Sequence, residues 1–165
     1  MKIELLVNGE SYKVNIEPRR TLADALRIDC SLTGTHLGCE HGVCGSCTVL
    51  LEGEAVRSCL MFAVQCDGAR IRTVEGLAGA DGEPHPLQKT FANEHGLQCG
   101  FCTPGFLMLS AGALEQDPQL VNDPQRLREL LTSNLCRCTG YESIQRAVTR
   151  AAAGFRQNDC GAEEQ

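Results

Sequence analysis

Cys39, Cys44 and Cys47 lie in a short run, Gly38 to Cys47, that reads Gly-Cys-Glu-His-Gly-Val-Cys-Gly-Ser-Cys. The spacing C-x4-C-x2-C is the plant-type pattern for a 2Fe–2S cluster, which takes a fourth cysteine from further along the chain. Cys59 is the candidate. It follows a strand-like run, Thr48–Leu51, and a turn at Glu52-Gly53-Glu54, so a hairpin would return it beside the loop. Such a centre is an anion, formally about −2 when oxidised and about −3 when reduced. A buried anion needs donors around it. Gly38, Gly42 and Gly45 would let the backbone curl with positive φ, so that N–H groups point at the sulfurs and tune the reduction potential. The plainer alternative is a zinc site, but zinc sites usually show paired C-x2–4-C knuckles.

A second set of thiols follows in the C-terminal half: Cys99-Gly100-Phe101-Cys102 and Cys136-Arg137-Cys138. Each pair immediately precedes a helical pattern, and helix N-termini favour anions and thiolates. From spacing alone, a four-thiolate zinc site and a second iron–sulfur cluster both stand. Cys30, Cys66 and Cys160 are read as non-ligands, the first two as small buried hydrophobes. His36 and His41 flank the first loop; neither is needed as a ligand, and a structural or solvent-facing role is expected for both.

The elements that must position these residues divide at about Val74. Before it, Ile3–Val7 alternates, Asn8-Gly9 signals a type I′ turn, and Tyr12, Val14 and Ile16 alternate again, predicting a β-hairpin. Thr21 can cap a helix carrying Leu22, Ala25, Leu26 and Ile28 on one face. Strands are expected at Thr48–Leu51, Ala55–Cys59 and Arg70–Val74. Hairpin, helix, cluster loop and closing strands are compatible with a β-grasp ferredoxin domain over residues 1–76. Residues 77–86, rich in Gly and Pro, read as a linker. Residues 87–157 predict four helices: Leu87–Glu94 ended by Gly96, one capped by Thr103 with Pro104 at its first position, one begun by Asp123-Pro124, and Glu142–Phe155. Residues 158–165 read as a flexible tail. The expected class is α+β, a β-grasp domain followed by an all-α four-helix domain.

Composition narrows the rest. At 165 residues and 42% hydrophobic content the chain can bury real cores. Its net charge of −6, with no basic run, argues against a nucleic-acid partner. No apolar stretch is long enough to span a bilayer, and Met1-Lys2-Ile3-Glu4-Leu5 does not open a signal peptide, so a cytoplasmic location is expected. Eleven cysteines, an odd number, suit metal ligation better than a disulfide framework. No Rossmann or phosphate-loop glycine motif suggests a nucleotide or flavin held by this chain itself.

Taken together, Leu32-Thr33-Gly34-Thr35, Gly38–Thr48, Arg57-Ser58-Cys59, Thr73-Val74-Glu75-Gly76-Leu77, Gln98–Gly105 and Asn134–Tyr141 resemble the small iron–sulfur subunit of the molybdenum hydroxylases, the xanthine dehydrogenase, aldehyde oxidoreductase and carbon monoxide dehydrogenase family. The resemblance covers nearly the whole chain. It implies two 2Fe–2S clusters: a distal one on Cys39, Cys44, Cys47 and Cys59, and one proximal to molybdenum on Cys99, Cys102, Cys136 and Cys138. It further implies that Gln98 hydrogen-bonds a molybdopterin and that Cys138 lies close to it. Electrons would pass from molybdenum on a large subunit, through both clusters, to FAD on a medium subunit of a heterotrimer or a dimer of heterotrimers. The substrate, an N-heteroaromatic or an aldehyde, would bind on another chain, and this one would supply no catalytic acid, base or nucleophile. The contrasting expectation is a free-standing ferredoxin-like carrier, which would need only about the first 75 residues to hold one plant-type cluster.

Overall fold

A computed structural model describes residues 1–79 and 81–159, the last four of these by backbone only. The sheet begins with β1 (Lys2–Val7) and β2 (Glu10–Asn15), paired antiparallel with Val7 opposite Glu10. The turn between them needs two residues with positive φ, and Asn8 and Gly9 supply +54° and +84°, as the Asn-Gly signal predicts. Thr21 caps α1 (Leu22–Asp24) by accepting the Asp24 N–H at 3.1 Å. The helix then widens into a π-turn over Ala25–Asp29. Leu22, Ala25 and Leu26 are fully buried, but Ile28 is 62% exposed. The wider turn breaks the 3.6-residue period and rotates Ile28 out of the expected apolar face.

β3 (Thr48–Leu51) and β4 (Glu54–Arg57) form a second hairpin, and β5 (Arg70–Arg72) closes the sheet in the order β2-β1-β5-β3-β4. β1 and β5 run parallel; the other pairs are antiparallel. β4 stops before Cys59, which sits in a tight 3-10 turn, Ser58–Leu60, rather than in the expected strand. β5 likewise stops at Arg72. Val74–Gly76 forms another 3-10 turn, and Leu77, at the start of the expected linker, is buried in the helical core.

The helical half comprises α2 (Pro86–Asn93), α3 (Thr103–Gln116), α4 (Pro124–Thr132) and α5 (Glu142–Asp159). Asp123 caps α4 through the Gln125 and Arg126 N–H groups, as expected. Thr103 does not cap α3. It is the first helical residue, Cys102 takes the cap position, and the Thr103 hydroxyl is buried without a partner among the described residues. After α2 the left-handed position falls on His95 (φ +53°), one residue before Gly96. Cys160 and most of the expected tail lie outside the described residues.

Two cores meet at β3. Val49 points into the sheet core with Leu5, Leu22 and Leu26, while its neighbour Leu50 points into the helical core with Phe106 and Met108. The alternation of a strand thus feeds both cores. α3 lies against this strand, and Gly112 permits the approach: a Cβ there would stand 2.7 Å from the Leu50 side chain.

Candidate metal centres

The first thiol site is built by one loop and one turn. Arg27 fixes the approach to the loop by donating to the Thr33 and Thr35 carbonyls at 2.6 and 2.7 Å. Glu75 accepts the Gly34 N–H at 2.7 Å and so ties the same segment to the end of the sheet. Beyond it, Glu40, Gly42 and Gly45 all adopt positive φ, and the chain wraps around Cys39. The Cys44 N–H donates to Cys39 Sγ at 3.3 Å. Backbone N–H groups of Cys44, His41 and Val43 hold the Cys39 thiol down at about 6, against an ordinary value of 9. That is the donor cradle an anionic centre requires. The Ser58–Leu60 turn brings Cys59 into contact with Cys47. Both are buried, and burial first, then Cys47, pushes the Cys59 thiol up to about 11. A metal that deprotonates the thiols would relieve this cost. Gly42 suits its position because its φ is +85°, in the left-handed region that glycine adopts freely.

The second site is built from two helix entrances. Cys99 and Cys102 precede α3; Cys136 and Cys138 precede α5. Cys99 Sγ and Cys138 Sγ are 3.6 Å apart and exposed. Cys102 is hydrogen-bonded to Cys136, and burial pushes its thiol up to about 12. Gln98 Nε2 donates to the Cys138 carbonyl at 3.1 Å, so Gln98 stands beside the exposed thiol pair. Among the described residues, no three donors gather tightly enough to hold a single metal ion. The thiols instead stand as contacting pairs: Cys47 with Cys59, Cys99 with Cys138, Cys102 with Cys136. Paired thiols backed by N–H donors are compatible with the two irons of a 2Fe–2S cluster.

Residues to which the sequence assigns no contact with one another join the two sites. The Leu135 N–H donates to the Cys44 carbonyl at 2.8 Å. The buried Asn134 donates to the Gly45 carbonyl at 3.2 Å, and its Oδ1 stands where a Gly45 side chain would begin. Gly105, in the first turn of α3, packs on the same carbonyl, which would lie 2.3 Å from a Cβ. Arg57 donates to Thr48 Oγ1 at 2.6 Å and to the Ser133 carbonyl at 2.8 Å. Tyr141 is a bulky residue held at φ +69°, a strain of about 1–3 kcal/mol. Asn134, Thr139 and Tyr141 lie inside a stretch the sequence marks, but only proximity in space assigns them partners.

The remaining expectations resolve simply. All ten described cysteines are free thiols. Cys30 and Cys66 are buried in the sheet core, where burial pushes the Cys30 thiol up to about 11. His36 stacks on Phe101 with ring centroids 5.1 Å apart and bonds its carbonyl through Nδ1 at 2.8 Å. His41 Nδ1 lies 2.5 Å from the Cys39 carbonyl. Each imidazole thus bonds a backbone carbonyl beside the thiol sites. A cavity of about 330 Å³ lies between the two thiol sites, lined by Cys44 and Ser46 on one side and Phe101, Cys102 and Cys136 on the other. A larger one, of about 570 Å³, lies at the domain junction, but its arginines, Arg70 and Arg72, are already paired with Glu52 and Glu115.

Comparison with known proteins agrees with this geometry. Residues 5–76 match the 2Fe-2S iron-sulfur cluster binding domain family, and residues 73–149 match the 2Fe-2S binding domain family. Sheet and bundle therefore define an iron–sulfur protein with two 2Fe–2S binding domains. The chain is 52% identical over 158 residues to the 6-hydroxypseudooxynicotine dehydrogenase complex subunit beta of Paenarthrobacter nicotinovorans, covering 96% of this chain and 98% of that one. It is 53% identical over 151 residues to the nicotine 6-hydroxylase small subunit of the same organism, covering 92% and 89%. The crystal structure of quinoline 2-oxidoreductase from Pseudomonas putida 86 superposes with a TM-score of 0.89 at 46% identity, over 95% of this chain and 96% of that chain. The chain belongs to the family of small iron–sulfur subunits of the molybdenum hydroxylases.

Proposed function

We propose that the chain is the electron-transfer subunit of a molybdopterin-dependent hydroxylase or dehydrogenase, placed between molybdenum on a large subunit and FAD on a medium subunit. The observation that carries this reading is the direct bond between the two thiol sites, Leu135 N–H to Cys44 C=O. A carrier with one plant-type centre has no use for it. In this reading Cys39, Cys44, Cys47 and Cys59 hold one 2Fe–2S cluster, and Cys99, Cys102, Cys136 and Cys138 hold the other. Bound there, the clusters accept and release one electron at a time.

The chain's own residues then have defined tasks. The N–H groups of His41, Val43 and Cys44 stabilise charge at Cys39. Asn134, Gly45 and Gly105 hold the two sites at fixed separation. Cys99 and Cys138 are exposed, and Gln98 stands beside them, so this is the face we assign to the molybdopterin, with Gln98 as a hydrogen-bonding contact. The substrate is oxidised on the large subunit; the relatives' names favour an N-heteroaromatic, with an aldehyde the alternative. Among the described residues no helix is long and apolar enough to cross a membrane. We place the complex, a heterotrimer or a dimer of heterotrimers, in the cytoplasm, and assign residues 1–76 and 87–157 as its two cluster domains.

The test is purification of the native complex. The chain should co-elute with larger subunits containing molybdopterin and FAD, with about four irons per chain for two such clusters. A monomer of 17.8 kDa, or about two irons with one zinc, would refute the proposal.

A further inference from the structure

One thiol of the second site carries a side-chain donor. Thr139 Oγ1 lies 3.1 Å from Cys136 Sγ. Either atom of this pair could donate while Cys136 is a thiol. A hydroxyl has one O–H and two acceptor positions. Thr139 Oγ1 accepts the Tyr141 N–H at 3.2 Å, and a Cys136 sulfur deprotonated as a metal ligand can only accept, so the O–H is the donor between them.

Tyr141, which presents that N–H, has its backbone in the left-handed region, at φ +69°. Three further contacts hold it there. Its hydroxyl accepts the Cys136 N–H at 3.0 Å and donates to the Asn134 carbonyl at 3.1 Å. Its ring packs edge-on against Phe106, with centroids 6.1 Å apart. The bonds close a ring: Cys136 N–H to the Tyr141 hydroxyl, the Tyr141 N–H to the Thr139 hydroxyl, and that hydroxyl back to Cys136 Sγ. The Thr139 and Cys138 N–H groups also donate to Cys136, whereas at the first site the donors that hold down Cys39 are chiefly backbone N–H groups, with no hydroxyl among them.

We propose that Thr139 sets the reduction potential of the helical-domain centre, and that Tyr141 is the residue that positions it. This rests on the reading of Cys136 as a cluster ligand. A donor on a ligating sulfur favours the state with more negative charge, so it raises the potential of the centre it touches. The effect is confined to that centre, because no bond of the ring reaches Cys39, Cys44, Cys47 or Cys59.

The experiment is a redox titration of the native complex followed by EPR, with the helical-domain signal identified by its loss in Cys136→Ser. Thr139→Val keeps the branched shape and removes the hydroxyl. It should lower the equilibrium constant for reducing that centre about tenfold, which is ~59 mV for a one-electron couple. The other centre should not move. Thr139→Ser, which keeps the hydroxyl, should titrate close to wild type. Tyr141→Phe keeps the ring and the backbone donor, and should shift the same centre in the same direction by less. If Thr139→Val does not assemble the centre, Thr139→Ala is titrated under the same criteria. An unmoved potential, an equal shift of both centres, or a Thr139→Ser shift as large as that of Thr139→Val each overturns the role of Thr139. A wild-type complex with a single diiron signal overturns the ligand reading instead.

Discussion

The two thiol sites solve one problem by different means. The first is made almost entirely by backbone. Its loop turns through positive φ at Glu40, Gly42 and Gly45, and the donors facing Cys39 are main-chain N–H groups. The second adds side chains to backbone at helix entrances: at Cys136 the Thr139 hydroxyl joins the Thr139 and Cys138 N–H groups, with the Tyr141 hydroxyl on the Cys136 N–H and the Gln98 amide on the Cys138 carbonyl. The first buries Cys47 and Cys59; the second exposes Cys99 and Cys138. A backbone cradle depends on glycine and tolerates almost any side chain that does not fill it. A side-chain cradle can be retuned one residue at a time.

The largest effect separates the sites. Cys44→Ser should abolish one of two EPR signals, Cys136→Ser the other, and each should lower the iron content from about four to about two per chain. The fold should survive in both variants, because each site sits beside a core of its own. Loss of both signals from a folded variant would show a single shared centre and end the comparison.

A smaller effect probes the contact where the sites meet. Gly45→Ala would put a Cβ 2.0 Å from Asn134 Oδ1 at φ +71°. Since the clash falls on a buried side chain and the backbone is strained as well, the cost should be about 2–4 kcal/mol. It should appear as a lower melting temperature and as faster hydrogen exchange at the Leu135 N–H. A variant that melts like wild type would show that Asn134 is free to move, and that the two sites are not rigidly spaced.

How much of this could be read beforehand follows from the same contrast. The first site lies in one short stretch, so spacing and glycine content carry nearly all of it. The Asn8-Gly9 turn, the Thr21 cap and the Asp123 cap are likewise local and were legible. The second site draws on residues 37 positions apart, Cys99 and Cys136, which only the folded bundle brings together. Spacing there leaves zinc and iron–sulfur chemistry open, and family resemblance is needed to choose. Ile28 and Thr103 were misread for a further reason. A π-turn and a shifted helix start alter the phase of a helix without altering its composition. Arg57, Asn134 and Tyr141 act across the domain junction or at a strained backbone, and no periodicity marks either.

The smallest effect tests whether the rim of the junction matters as much as its centre. Arg57 bridges the domains by donating to Thr48 Oγ1 and to the Ser133 carbonyl. Both bonds come from a charged group, yet the Ser133 contact is solvent-exposed, and water would replace much of what is lost. Arg57→Met keeps the apolar stem and removes the guanidinium. It should cost about 1 kcal/mol, well below Gly45→Ala. Both EPR signals and both potentials should stay in place, because neither thiol site loses a donor. Exchange at the Leu135 N–H should rise only slightly. If Arg57→Met instead destabilised the protein as much as Gly45→Ala, the docking energy would reside in the guanidinium clamp. The backbone contact between Cys44 and Leu135 would then be a consequence of docking, with the two sites spaced by side chains after all.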